Sequence, residues 1–278
     1  QEHGDWPRSI LLTAWGTANM RTGGDDIAQA LALMGVKPKW DTSNRRVIGF
    51  EIIPINVLDR PRVDVTLRVS GFFRDAFPQQ MALVDSAARA VMKLEEPEDL
   101  NPAAQKFKTE NNDDSSYRVF GSKPGSYGAG LQTMIDEKIW STKADLAESY
   151  LEWGSYAYGK GSDGKQARKA LETRLFQVDA VVQNQDNREH DILDSDDYYQ
   201  FEGGAAAAVS TLQGRERPIY HNDHSRPERP VIRTLDEEIG RVMRSRVVNP
   251  KWIAGVKRHG YKGAFEMAAT LDYLFAFS

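Results

Sequence analysis

The densest set of metal- and proton-handling side chains lies between Asn184 and Phe201, where amides, an imidazole and several carboxylates share one short stretch. These are the oxygen and nitrogen donors that a divalent ion such as cobalt or magnesium takes, and they can also accept protons from a ring nitrogen. If the segment opens as a helix, His190 and Asp194 stand at i and i+4 on one face, within reach of a shared ion. That pair is the expected metal site. The spacing matches no standard ion-binding loop such as the EF-hand. The plain structural alternative is that Asp194 to Asp197 form a solvated turn capping the next helix.

Four other segments carry chemistry-bearing residues. Phe120 to Gly130 is a glycine-rich loop containing Lys123 and Tyr127, but Gly130 is followed by Leu131-Gln132 and so fails the phosphate-loop pattern. Its glycines fit a tight turn, or a backbone that approaches a flat macrocycle or another subunit. Gly203 to Val209 reads as a helix start with a small face for close packing. Tyr220-His221-Asn222-Asp223-His224 places two imidazoles beside a carboxylate. Without helix signals it reads as a surface loop, with a metal site as the minority alternative. Asn249 to Glu266 is dense in cations and aromatics, so Lys251, Lys257, Arg258 and Lys262 could meet a ring's carboxylate rim while Trp252 or Tyr261 stacks on its face. The plain reading there is a helix ending at His259-Gly260, where cations meet the negative end of the dipole. No nucleophile elbow supports a serine hydrolase.

The elements that must position these residues follow from periodicity. Strands are expected at Ile10–Trp15, Val47–Ile55 and Val63–Val69, with helices at Asp25–Gly35 and Phe77–Leu94 and a polar turn at Gly16–Gly24. Residues 1–95 therefore read as a small α/β layer with a largely parallel sheet, residues 96–116 as a linker or loop, and residues 117–278 as a mainly helical region. In the last region, capping boxes at Thr142/Asp145 and Thr234/Glu237, and the Asn249-Pro250 pair, mark helix starts. Helices are read over Thr142–Tyr158 and Lys165–Val182.

Composition sets the outer limits. The 278 residues carry a formal net charge of −4 and 40% hydrophobic content, enough for a real core and without the basic field that attracts nucleic acid. No run suits a membrane span. Zero cysteines remove disulfides and thiolate ligands and fit a cytoplasmic setting. Both ends enter apolar patterns abruptly, as expected of part of a longer chain.

Several long strings resemble the family of the aerobic cobaltochelatase large subunit, CobN, and the magnesium chelatase H subunit. They are Trp15-Gly16-Thr17 with Met20 to Ile27, Arg60 to Asp75, Phe120 to Gly130, Asn184 to Phe201, and Asn249 to Glu266. The likeness to the magnesium enzyme is weaker and centres on Asn249 to Trp252 and His259 to Tyr261. The resemblance implies the C-terminal part of a tetrapyrrole-binding subunit that takes Co²⁺ and hydrogenobyrinic acid a,c-diamide as substrates in cobalamin biosynthesis. Separate AAA+ motor subunits would use ATP and Mg²⁺, which agrees with the missing phosphate loop. Within that frame the expected catalytic groups are His190, Asp191, Asp194, Asp196 and Asp197, with His259 and Glu266 second. Lys123, Tyr127, Tyr198, Lys251, Trp252, Arg258 and Tyr261 are the expected substrate contacts. The alternatives are a magnesium chelatase acting on protoporphyrin IX, a non-catalytic scaffold that docks the motor, and an independent metal-dependent hydrolase built on the aspartate-rich segment.

Overall fold

In the computed structural model, which describes residues 4–110 and 113–277, the apolar run near the start is strand β1, Ser9–Ala14, with all six residues buried. The chain forms two units that interleave in sequence, one of Gln1–Tyr127 with Leu151–Ala180 and one of Gly128–Tyr150 with Val181–Ser278. In the first unit, strands β2 (Val36–Trp40) and β3 (Val47–Ile52) pair with each other as a separate antiparallel hairpin. Strand β4, Asp64–Val69, lies parallel to β1 with Ser9 opposite Asp64 and Ala14 opposite Val69. Strand β5 (Val119–Gly121) continues the sheet in parallel, and β6 (Tyr156–Gly159) and β7 (Ser162–Gln166) extend it antiparallel. The expected α/β class with parallel central strands is what forms.

Every residue of β4 is buried, including Asp64, Thr66 and Arg68. A central parallel strand is covered on both faces, so its polar positions must be paired inside the protein. Asp64 is met by Arg118, with Nε 2.7 Å from Oδ1, and by Arg174, with Nη2 2.7 Å from Oδ2. Burial opposes the Asp64 charge, but the two guanidiniums outweigh it and hold the carboxyl well below the usual carboxylate range.

Three expectations for this unit need correction. Gly16–Thr22 is a helix rather than a turn, because Ser70 Oγ accepts from Gly16 N and Gly23, at φ +74°, ends the helix in the left-handed region. A β-carbon on Gly16 would lie 2.5 Å from Phe72 Cδ1, so only glycine permits that approach. Within the expected linker, Pro102–Glu110 is helical. Asn101 Oδ1 accepts from Ala104 N, the same Asn-Pro start signal that holds at Asn249-Pro250. Segment 96–116 also lies inside the first unit, tied to it where Arg62, itself buried, binds Glu96 at 2.8 Å.

In the second unit, β8 (Ala180–Gln185) pairs in parallel with β9 (Ile219–Asp223), which pairs antiparallel with β10 (Val231–Thr234). Helices Gly204–Gln213, Leu235–Val242 and Pro250–Lys257 follow the expected starts, and a further helix spans Tyr261–Phe277. Thr234 and Glu237 form the full reciprocal box, and Asn249 Oδ1 accepts from Lys251 N. The region read as mainly helical nevertheless carries, among the described residues, six strands, β5 to β10. Helix Arg168–Gln177 stops where Val178 turns extended, and Gly159, Gly161 and Gly164 adopt positive φ at the β6–β7 hairpin, so short strands lie where helical spacing is also satisfied.

Candidate functional site

The aspartate-rich segment leaves the end of β8 as an irregular loop. Gln185 Nε2 donates to the His190 carbonyl at 2.8 Å, and Arg188 reaches Asp223 at 2.7 Å. His190 and Asp194 do meet, Nδ1 to Oδ2 at 3.4 Å, but across a turn rather than along a helix. Both are solvent-exposed. Asp194 also receives Arg246 Nη1 at 2.9 Å, and the same guanidinium lies 3.2 Å from Asp191 Oδ1. Arg246 therefore engages Asp194, one member of the pair expected to hold a metal, together with Asp191. Among the described residues, no group of three or more His, Asp or Glu is placed to hold a metal ion.

Ser195 caps the short turn of helix Asp196–Tyr198, its Oγ accepting from Asp197 N, so the capping alternative holds for that stretch. Asp196 accepts from Gln200 Nε2 at 3.1 Å. Desolvation raises the Asp191 carboxyl despite Arg246, and desolvation together with Asp196 raises that of Asp197. Both are better proton acceptors for it.

Sequence reasoning missed the most organised cluster of this unit. The Tyr220–His224 segment is not a surface loop; His221 sits on β9 with its side chain fully buried. Its Nδ1 lies 3.3 Å from each oxygen of Glu202, also fully buried, and its Nε2 3.1 Å from Gln185 Oε1. Burial disfavours the charged imidazole, but Glu202, with Glu238 and Asp223 beyond it, raises the His221 pKa above the ordinary histidine value. Tyr198, an expected substrate contact, is instead buried against this ring at 5.8 Å between centroids. Desolvation, with Glu202 next, lifts its phenol far above the usual range. Glu238, buried on helix Leu235–Val242, is bound by Arg233 at 3.2 Å and by Arg241. The signal was present in the alternation of Tyr220 to Asp223 beside Ile219, but two histidines and the prolines beyond it masked a strand.

The glycine-rich loop serves both units. In the first, Arg74 donates to the carbonyls of Ser122, Lys123 and Ser126 and stacks over the exposed Tyr127 ring at 5.4 Å, while Tyr127 OH donates to Asp75 at 2.7 Å. Tyr127 is thus fixed by its neighbours rather than open as a stacking face. A cavity of about 200 Å³ is lined by Lys123, Ser126, Glu152, Trp153 and Tyr156. This joins the expected contact Lys123 to two aromatics that sequence reasoning does not single out for binding. In the second unit, Gly128, at φ +81°, lies against Gln200, whose Oε1 accepts from Ala129 N at 3.0 Å. Gln200 thereby binds the glycine loop to the aspartate-rich segment.

The remaining candidates lie on the two C-terminal helices. Lys251, Arg258, His259 and Tyr261 are exposed, and His259 precedes the left-handed Gly260 that ends its helix, as the plain reading expects. Glu266 is half-buried within the last helix. Trp252 carries Arg246 over its ring at 5.5 Å, so that face is occupied from within the unit.

Taken as a class, this is an α/β protein with no nucleotide loop, whose polar chemistry is organised by buried ion pairs. The whole chain, residues 1–278, matches the family described as CobN/Magnesium Chelatase, and the chain belongs to that family. It is 66% identical over its full length to the aerobic cobaltochelatase subunit CobN of Sinorhizobium sp and 59% identical to that of Pseudomonas aeruginosa. It is 35% identical over 96% of its length to the magnesium-chelatase H subunit of Rhodobacter capsulatus. The chain spans 23% of the length of each of these relatives. Among solved structures, the catalytic subunit of cobaltochelatase from Mycobacterium tuberculosis matches 99% of this chain and 24% of its own, at a TM-score of 0.96 and 49% identity. Among the described residues no helix is long and apolar enough to cross a membrane.

Proposed function

We propose that this chain is part of the tetrapyrrole-binding subunit of a cobaltochelatase, a ligase that inserts Co²⁺ into a corrin-type macrocycle, hydrogenobyrinic acid a,c-diamide, in the cytoplasm. The observation that carries this is the graded identity over essentially the whole chain, 66% to a cobaltochelatase subunit against 35% to a magnesium chelatase subunit. ATP hydrolysis with Mg²⁺ belongs to AAA+ partner subunits, in keeping with the absence of a phosphate loop from this sequence.

Insertion requires Co²⁺ to lose water and two ring N–H groups to give up their protons. The carboxyls of Asp191 and Asp197, with pKa values raised by desolvation, are suited to take those protons, and Asp194 and His190 stand beside them. Arg246 holds Asp191 and Asp194 in place and is the positioning residue of the set. Lys123, with Trp153 and Tyr156, offers a cation beside aromatic faces, the combination that suits a carboxylate-rimmed flat ring. Lys251, Arg258 and Tyr261 are exposed and available to the same ligand or to a motor subunit, with His259 and Glu266 nearby in sequence.

The test uses the complete subunit with its partners. Asp194→Ala and Asp197→Ala should each lower cobalt insertion at least tenfold with unchanged thermal unfolding; turnover at the parent rate removes these residues from the chemistry. Titration with the corrin, followed by its absorbance, separates a ligand-binding role from a scaffold role, in which motor subunits bind but the corrin does not.

A further inference from the structure

The first unit holds a second cavity, of about 170 Å³, lined by Lys106, Asp114, Ser115, Lys169, Ala170, Thr173, Arg174 and Gln177. Three cations, Lys106, Lys169 and Arg174, line it against one carboxylate, Asp114. That carboxylate is already engaged by Lys165 Nζ at 3.1 Å. Behind the wall, the buried Asp64 carboxylate is shared by Arg118 and Arg174. Arg174 is 4% exposed, with Nη2 on Asp64 and Nε donating to Thr66 Oγ1 at 3.1 Å. The Lys106 ammonium is half-buried on the same wall, where Arg174 and Arg118 oppose its charge and Asp64 favours it. Keeping a partly buried ammonium charged beside guanidiniums is costly, and an added negative charge lowers that cost.

We infer that this cavity is a binding site for a small phosphate-class oxyanion, held by Lys106, Lys169 and Arg174 with the Thr173 and Ser115 hydroxyls at its wall. Its lining of cations and hydroxyls, with no aromatic side chain, suits a small tetrahedral anion rather than a flat ring, so it is separate from the corrin contacts proposed above. A dianion is favoured over a monocarboxylate because three cations converge against one engaged carboxylate, and charge-assisted hydrogen bonds from Arg and Lys are the strong ones for such a ligand. The state of Lys106 agrees: burial, with Arg174 next, pushes its ammonium down to about 8. A bound dianion within a few ångströms would restore it toward the ordinary lysine value.

Lys106 thus reports occupancy. In the full-length protein, acetylation of Lys106 by acetic anhydride, read by peptide mass spectrometry across pH, should show a midpoint near pH 8 without anion. Inorganic phosphate should move that midpoint up by a unit or more, slowing acetylation at pH 8 about fivefold or more, with Lys262 unaffected. Lys169→Gln, an exposed change that spares the Asp64 ion pairs, should weaken this protection about tenfold while the thermal midpoint stays put. Phosphate at millimolar concentration leaving the Lys106 midpoint unmoved would overturn the site. Equal protection by acetate would overturn its phosphate-class assignment.

Discussion

Glu202 and His221 face each other in the interior of the second unit, both carboxylate oxygens 3.3 Å from Nδ1 and neither side chain exposed to water. Because the folded pKa of His221 is raised above its unfolded value, protonation stabilises the folded state. That contribution is fully present below about pH 6.5 and is lost as pH rises through the folded pKa. Glu238 and Asp223 reinforce it, and Tyr198 packs on the ring without supplying charge. Urea unfolding of the parent should therefore show stability falling above neutral pH. Glu202→Gln should cost about 3–5 kcal/mol at pH 6 and flatten that slope; an unchanged slope would refute the charged pair.

The first unit shows the opposite sign at Asp64. Its carboxyl is depressed in the folded state by Arg118 and Arg174, so its contribution is present above about pH 3.9 and is lost as pH falls through the folded pKa. Asp64→Asn leaves two buried guanidiniums facing a neutral amide. Equilibrium denaturation should show a loss of about 3–5 kcal/mol at pH 7, shrinking as acid removes the parent's advantage.

Gln200 ties the glycine-rich loop to the aspartate-rich segment, accepting from Ala129 N and donating to Asp196. Gln200→Ala orphans the buried Ala129 N–H and should destabilise by about 1–3 kcal/mol. Gly128→Ala should cost a similar amount, about 1–3 kcal/mol, because φ is +81° there and the new β-carbon would lie 2.9 Å from Gln200 Oε1. Hydrogen exchange should quicken at Ala129 in both variants; protection equal to the parent's would show that the loop is held some other way.

If the cavity at Lys123 takes the macrocycle, Trp153→Ala should weaken corrin binding to the complete subunit by about tenfold, near 1.4 kcal/mol. Trp153 is 41% exposed, so the fold should tolerate the change. Fluorescence or absorbance titration at parental affinity would exclude this wall from the binding surface.

What the sequence by itself determined lies within a few residues along the chain. The α/β class, the reciprocal Thr234/Glu237 cap, the Asn249 cap and the strands at Ser9–Ala14 and Asp64–Val69 are all written in local propensity and period. The family strings are likewise linear. The strand at Ala180–Gln185 was hidden because short buried strands and helix segments share the same apolar spacing, and that at Ile219–Asp223 because its histidines and the prolines beyond it read as a surface loop. Tertiary structure alone decided which charges meet. His221 finds Glu202 and Gln185 because β9 lies in register with β8, setting His221 opposite Gln183 and beside Gln185. Arg174 finds Asp64 because a helix far along the chain packs on β4. It also decided that Arg246 bridges Asp191 and Asp194, so that the Asp194 carboxylate of the expected His190/Asp194 pair is shared with a guanidinium. Local caps depend on the backbone next door, whereas buried ion pairs depend on sheet register and helix packing, which no short window of residues encodes.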